Sequence, residues 1–134
     1  MITDELRSKL IQEAAKVRLL AYAPYSNYKV GAALYTQKEN IFTGVNVENA
    51  AYPTTICAER SAIFTAVSSG EQKFIAIAVV TEDGGSPCGS CRQVLAEFGG
   101  DIVVIVADTN GKVHIEDSVA NLLPGYFGPA NLLE

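Results

Sequence analysis

The chain has 134 residues, of which 49 % are hydrophobic, and a formal net charge of −5. This length predicts a single domain over 1–134, and an acidic chain without a basic stripe excludes nucleic acid as a partner. The opening MITDELRSKL has no apolar signal core and no stretch reaches the roughly 18 apolar residues of a membrane span, so we expect a cytoplasmic protein with a small-molecule partner.

The first half of the chain predicts two helices and three strands. Apolar residues at steps of three and four predict a helix over 3–21, which ends before Pro24. Alternation of apolar residues then predicts a strand over 28–34 and, after a polar turn, a returning strand over 41–47. The next predicted elements are a helix over 55–69 and a strand over 74–80 that is buried on both faces.

The second half continues this alternation. Ser86 is predicted as the N-cap and Pro87 as the first residue of a third helix that ends at 99–100. The remaining predictions are a strand over 102–107, a tight turn at 110–111, a strand over 112–115 and a short helix near 119. The order α-β-β-α-β-α-β-β-α predicts an α/β fold, a three-layer α/β/α sandwich around a mixed five-stranded sheet.

Three cysteines form the strongest chemical pattern. Cys57, Cys88 and Cys91 each lie in the first turn of a predicted helix, where the helix dipole stabilises a thiolate. Cys88 and Cys91 are one turn apart on one helical face, so both sulfurs can reach one ion, and Cys57 can supply a third ligand. The pattern predicts a zinc site with three cysteine ligands.

The fourth position of this predicted site has no evident protein ligand. The chain has one histidine, His114, and it lies in a predicted hairpin far along the sequence. A catalytic zinc keeps a position open for water and lowers the pKa of that water towards about 7. Glu59 follows Cys57 by two residues, so we predict that Glu59 faces this water and moves protons.

The cysteine motifs carry a resemblance to a known family. Cys57-x-Glu59 followed by Pro87-Cys88-x-x-Cys91 resembles the zinc deaminase signature, with cysteine in place of its commoner histidine. Four further segments resemble small homotetrameric cytidine deaminases: PYSNYKVGAAL (24–34), GVNVENAAYP (44–53), CAERSAI (57–63) and LLPGYFGP (122–129). The resemblance implies one zinc per chain and hydrolytic deamination of cytidine and deoxycytidine in pyrimidine salvage, by zinc-bound hydroxide with Glu59 as proton shuttle.

The resemblance also implies a set of substrate-binding residues. Asn46 and Glu48 match the pair that holds the sugar hydroxyls, and the backbone of Ala58 matches a contact to the base. Tyr28 matches an aromatic position of the nucleoside pocket at which this family often has Phe. The residues implied near a boundary between subunits are Phe127, which would reach the base of a neighbouring site in the homotetramer, and Ala50 and Tyr52.

Two arginines are predicted to support the metal ligands. Arg60 lies one turn after Cys57, and Arg92 directly follows Cys91. Three thiolates on Zn²⁺ leave one net negative charge, so we predict that one or both guanidinium groups donate hydrogen bonds to the ligand sulfurs. The alternative is ordinary ion pairing at the surface.

Other interpretations of the cysteines remain open at this point. Buried free cysteines often serve only packing, and Cys88-Gly89-Ser90-Cys91 at a helix start is also typical of redox dithiols. Within zinc proteins, the alternatives are a deaminase of another cytosine nucleoside, such as a blasticidin-type antibiotic, and a non-catalytic zinc module that mediates assembly.

Overall fold

The structure is a computed structural model that describes residues 2–133. Its helices are α1 (Asp4–Arg18), α2 (Ala58–Ser68), α3 (Gly89–Phe98) and α4 (Val119–Leu122), and its strands are β1 (Gly31–Thr36), β2 (Ile41–Val45), β3 (Phe74–Thr81), β4 (Val103–Asp108) and β5 (Val113–Ser118). Single 3-10 turns lie at Tyr52–Thr54 and Pro129–Asn131. None of the helices within 2–133 is long and apolar enough to cross a membrane. The element order is the predicted one.

The five strands form one mixed sheet in the order β2-β1-β3-β4-β5. β3 and β4 are parallel, and the other neighbouring pairs are antiparallel. The connection between the parallel pair carries α3, because parallel neighbours need a crossover segment. The apolar strand β3 lies in the middle of the sheet, where both of its faces are covered.

Helices cover both faces of this sheet, which confirms the predicted three-layer α/β/α sandwich. On one face, α1 packs its buried Leu10 and Ala14 against β1, β3 and β4. On the other face, α2 and α3 bury side chains against the same strands, with Ile63 and Leu95 completely enclosed. α2 and α3 therefore start on one side of the sheet, and their N-termini carry the cysteines.

Several predicted boundaries were wrong. α1 ends at Arg18 rather than at 21, and the two leucines that follow it are exposed. β1 begins at Gly31 rather than at 28, because the Asn46 side chain binds the backbone of Tyr28 and Val30 and holds that segment outside the sheet. Three further corrections are that α2 begins at Ala58 rather than 55, β2 ends at Val45 rather than 47, and β5 extends to Ser118 rather than 115.

The start of α3 also differs from the prediction. The N-cap is Cys88, with φ −66° and ψ 167°, and neither Ser86 nor Pro87 belongs to the helix. Arg92 explains the shift, since it donates to Ser86 Oγ at 2.7 Å and to Pro87 O at 2.9 Å and so holds both residues ahead of the helix. Cys57 is likewise the N-cap of α2, and neither cysteine side chain caps its own helix.

Candidate active site

The three cysteine sulfurs converge at the N-termini of α2 and α3. The Sγ atoms of Cys57, Cys88 and Cys91 all lie within 4.8 Å of one another, and the Cys88–Cys91 separation is 3.5 Å. Three thiolates around a tetrahedral zinc with bonds of about 2.3 Å lie about 3.8 Å apart, so this spacing fits one ion. The structure thus brings together the three predicted ligands from two separate helices.

Among residues 2–133, no fourth metal-binding side chain joins the three sulfurs. Within 2–133, the cluster contains no further Cys, His, Asp or Glu side chain. His114, the one histidine, is exposed, and its Nε2 lies 2.8 Å from Asp108 Oδ2 at the end of β4. A three-thiolate site of this kind suits zinc with one position left for a water or substrate atom.

The cluster concentrates negative charge on Cys57. Contact with the Cys91 thiol, followed by the Arg60 guanidinium, lowers the pKa of Cys57 to about 5. The same contact with Cys57 raises the pKa of Cys91, and burial adds to that increase. Because the three sulfurs are so close, a metal ion is needed to hold all of them as thiolates together.

Arg60 provides the predicted support for a ligand sulfur. Its Nη2 donates to Cys57 Sγ at 3.3 Å, and this contact raises the pKa of Arg60. Its Nε is buried and has no hydrogen-bond partner among the residues that the structure describes. The guanidinium is therefore held within the cluster rather than in a surface ion pair.

Arg92 contacts oxygen atoms instead of sulfur. Besides Ser86 and Pro87, its guanidinium binds Leu122 O at 2.8 Å. It therefore ties the segment before Cys88 to the end of α4. Of the two arginines predicted to donate to sulfur, one or both, only Arg60 therefore makes such a contact.

Glu59 is the buried acid beside this cluster. It is the second residue of α2, and only 4 % of it is exposed. Burial raises the pKa of Glu59 to about 6, and the neighbouring Cys57 thiolate shifts it in the same direction. A carboxyl group with a pKa near neutrality can both accept and donate a proton, as acid-base catalysis requires.

Glu59 and two of the cysteines line a cavity of about 220 Å³. The sequence predicted Tyr28, Asn46 and Ala58 for this pocket, and all three line it. The complete lining is Tyr28, Val30, Asn46, Thr55, Cys57, Ala58, Glu59, Val79, Thr81, Gly85, Ser86 and Cys88. The cavity therefore combines metal ligands, an acid and an aromatic wall in one concave space.

Sequence reasoning missed Thr55, Thr81 and Gly85 among these lining residues. Thr81 ends β3, Gly85 lies in the loop after it and Thr55 lies just before α2, where the sequence located the element ends only approximately. The Gly84-Gly85 pair after an apolar strand was a usable signal, because glycines often mark a close approach of the backbone to a ligand.

The two residues implied for sugar binding lie on either side of Thr55. Asn46 lines the first cavity, and its amide binds the Tyr28 and Val30 backbone at 2.8 and 2.9 Å. Glu48 lines a neighbouring cavity of about 380 Å³, and its carboxylate accepts hydrogen bonds from the Tyr25 and Ser26 segment. Thr55 lines both cavities, so they adjoin.

The residues implied at a subunit boundary are all exposed. Tyr52 lines the second cavity, is 71 % exposed and makes an edge-on contact with Tyr25. Ala50 and Phe127 are exposed and line neither cavity of their own chain. Gln93 on α3 holds the tail in place, because its Nε2 donates to Phe127 O at 2.7 Å.

Residues 4–107 match the profile of a protein family described as the cytidine and deoxycytidylate deaminase zinc-binding region. A cytidine deaminase of Sporosarcina psychrophila is 50 % identical over 127 residues, which cover 92 % of this chain and 93 % of that protein. A cytidine deaminase of Halalkalibacterium halodurans is 46 % identical over 124 residues, covering 90 % and 93 % of the two chains.

Solved structures show the same fold. A cytidine deaminase from Burkholderia pseudomallei superimposes with a TM-score of 0.86 at 46 % identity, and the match covers 94 % of this chain and 100 % of that one. A cytidine deaminase from Mycobacterium tuberculosis gives a TM-score of 0.81 at 34 % identity, covering 95 % and 99 %. The similarity extends over nearly the whole length, well beyond the cysteine motifs.

Proposed function

Because this chain belongs to the cytidine deaminase family and catalyses the hydrolytic deamination of cytidine, we propose that Cys57, Cys88 and Cys91 hold one zinc ion per chain and that Glu59 carries the protons. The observation that supports this assignment is the convergence of three sulfurs within 4.8 Å beside a buried carboxyl group that lines the same cavity. Packing alone would not explain the Cys57-x-Glu59 and Pro87-Cys88-x-x-Cys91 motifs. A redox dithiol formed by Cys88 and Cys91 would leave Cys57 and Glu59 without a function.

In the reaction, water attacks C4 of the cytosine ring, and the amino group on C4 leaves as ammonia. Held by Cys57, Cys88 and Cys91, zinc would supply acidification of water, which makes a nucleophile available at neutral pH. Glu59 accepts a proton from the attacking water and delivers protons to N3 and to the departing amino group. A new C4–O bond forms and the C4–N bond breaks, which leaves uridine from cytidine, or deoxyuridine from deoxycytidine.

The surroundings of Glu59 support this shuttle. Burial keeps its pKa at about 6, so a proton taken up by the carboxylate is passed on again near neutral pH. Ala58 precedes it at the start of α2, where free backbone N–H groups point out of the helix end, and we propose that the Ala58 backbone binds the base.

We assign free nucleosides as the substrates, which places the reaction in pyrimidine salvage. Asn46 and Glu48 offer polar groups on either side of Thr55, where the two cavities adjoin, and such a pair suits sugar hydroxyls. No Lys or Arg within 2–133 lines either cavity, so a phosphate group would find no positive partner. Tyr28 supplies an aromatic side to the pocket.

The proposed assembly is a homotetramer in which Phe127 closes the active site of a neighbouring chain, near Ala50 and Tyr52. Its side chain is 58 % exposed on its own chain, which supports a role towards another molecule. The large exposed apolar side chains Leu19, Leu20, Tyr22 and Val47 offer surface for subunit contacts.

The test follows the ultraviolet absorbance of cytidine, deoxycytidine, CMP and cytosine with the purified protein, together with its metal content. We expect about one zinc per chain, turnover of both nucleosides, poor turnover of CMP and cytosine, and loss of activity after chelation that added zinc restores. Efficient deamination of CMP would contradict the nucleoside assignment. Activity unchanged by complete metal removal would contradict the zinc assignment.

A further inference from the structure

A hydrogen-bond network joins the loop after β3 to the aromatic wall of the cavity. Tyr28 Oη donates to Asp83 Oδ1 at 2.7 Å, although the two residues are 55 positions apart in the chain. The same carboxylate oxygen accepts from Thr81 Oγ1 at 3.3 Å and from Gly85 N at 3.2 Å. One acceptor atom thus contacts three groups, and the Gly85 N–H also donates to Thr81 Oγ1 at 2.8 Å.

The groups held by Asp83 are cavity residues, but Asp83 is not. Tyr28, Thr81 and Gly85 line the cavity that contains Glu59, whereas Asp83 is exposed outside it. Any effect of Asp83 on a bound nucleoside must therefore pass through these neighbours. Its carboxylate suits this task, because it is an acceptor at neutral pH, and the hydrogen bond from Tyr28 lowers the pKa of Asp83 further.

The Tyr28 hydroxyl is also enclosed from the other side. A Cβ atom added to Gly85 would lie 2.6 Å from Tyr28 Oη, so the end of the ring rests directly on the Gly85 backbone. Tyr28 is nevertheless 40 % exposed, and packing alone leaves its ring partly free to move. The Asp83 carboxylate supplies the directional contact that packing lacks.

We propose that Asp83 is a positioning residue of the nucleoside pocket, which fixes the Tyr28 ring and the Gly85 backbone as one preformed wall. This inference rests on the proposed function, since it takes the cavity as the nucleoside site. The Tyr28 hydroxyl donates to Asp83, so we expect it to influence substrate binding only by fixing the position of the tyrosine ring. A pocket side that is already fixed loses less conformational entropy when the nucleoside binds. Loss of the Asp83 contact should therefore weaken substrate binding and raise KM.

The test is a double-mutant cycle on cytidine deamination with Tyr28→Phe, Asp83→Ala and the combined variant. We expect each single change to raise KM by about three- to tenfold while kcat stays within about twofold, because a hydrogen bond that organises binding is lost. In the Tyr28→Phe background, Asp83→Ala should raise KM by less than about twofold, since the contact with Tyr28 is already gone and the Gly85 N–H keeps its hydrogen bond to Thr81 Oγ1. Asp83→Asn keeps an acceptor oxygen and should recover most of the affinity.

Zinc content and the midpoint of thermal unfolding are recorded for every variant, and Glu82→Ala is the matched control. Glu82 is exposed and adjacent in the same loop, so its KM should equal that of the unaltered protein. Should Asp83→Ala fail to fold, Asp83→Ser, whose shorter side chain leaves the Tyr28 hydroxyl without this partner, replaces it in the cycle with the same expected result.

Additive effects of the two changes on KM would overturn the positioning role, as would an unchanged KM in both single variants. A loss confined to kcat, or one that follows zinc content, would also overturn it. Absence of cytidine turnover by the unaltered protein would overturn the proposed function and this role together. Turnover with additive effects would overturn the role of Asp83 alone.

Discussion

Arg60 donates a hydrogen bond from Nη2 to Cys57 Sγ at 3.3 Å, which joins the first turn of α2 to its N-cap residue. Three thiolates around Zn²⁺ leave a net negative charge that weakens the ion as a Lewis acid. A guanidinium beside one sulfur withdraws part of that charge and orients the ligand. Substitution of Arg60 therefore tests whether this hydrogen bond affects zinc retention and catalysis.

Replacing Arg60 with Gln should lower kcat for cytidine by about tenfold and weaken zinc retention, because a charged hydrogen bond to a ligand is lost. The measurements are kcat and the zinc content after dialysis against a chelator. Arg7→Gln is the control, since Arg7 pairs with Asp4 and Glu116 instead. If Arg60→Gln equals the control in both measurements, the guanidinium has no influence on the metal.

Glu59→Gln should reduce kcat by at least about 100-fold while the chain still folds and binds zinc, because the amide cannot move a proton. Steady-state kinetics and metal analysis separate the two effects. Glu71→Gln is a matched control, since Glu71 is also buried but binds Asn40 away from the cysteines. Near-normal turnover by Glu59→Gln would remove Glu59 from the mechanism.

Co-expression of Glu59→Ala with Phe127→Ala should give more activity than the sum of the two variants alone. If Phe127 closes a neighbour's site, mixed oligomers contain some sites with both residues intact. A base-stacking aromatic contributes about 1 to 3 kcal/mol, so those sites recover most of the lost activity. Differently tagged chains purified in tandem provide the hetero-oligomer for the assay.

Co-expression of Glu59→Ala with Cys88→Ser is the control for this experiment. Both residues line the same cavity of one chain, so every site in the mixture carries one defect and no gain is expected. Hetero-oligomers of the first pair that show no gain either would mean that Phe127 acts within its own chain or not at all.

Gly31→Ala should lower the free energy of unfolding by about 1 to 3 kcal/mol, because the added methyl overpacks the contact between α1 and β1. A Cβ at this position would lie 2.0 Å from the Ala14 carbonyl oxygen. Urea unfolding followed by circular dichroism measures the change. Ser8→Ala at an exposed position of α1 should stay within about 0.5 kcal/mol, and an equally stable Gly31→Ala would disprove the close approach.

Local patterns in the sequence were sufficient for the element order and for the three cysteines that cluster in the structure. Periodicity of apolar residues depends only on neighbours along the chain, so it predicted α1 and β3 with errors at their ends. The spacing of Cys88 and Cys91 likewise follows from one helical turn. The Cys57-x-Glu59 motif then identified the acid through its resemblance to a known signature.

Contacts between distant segments required the tertiary structure. Arg60 and Arg92 both neighbour a ligand in sequence, yet only Arg60 lies against a sulfur, because Arg92 is drawn to Ser86, Pro87 and Leu122. The pairing of Tyr28 with Asp83 has no local signature either. The sequence by itself determined the element order and the residues proposed to carry the chemistry, while the packing of α2, α3 and the β3 loop on the sheet decided which of them touch, because those contacts depend on how whole elements dock.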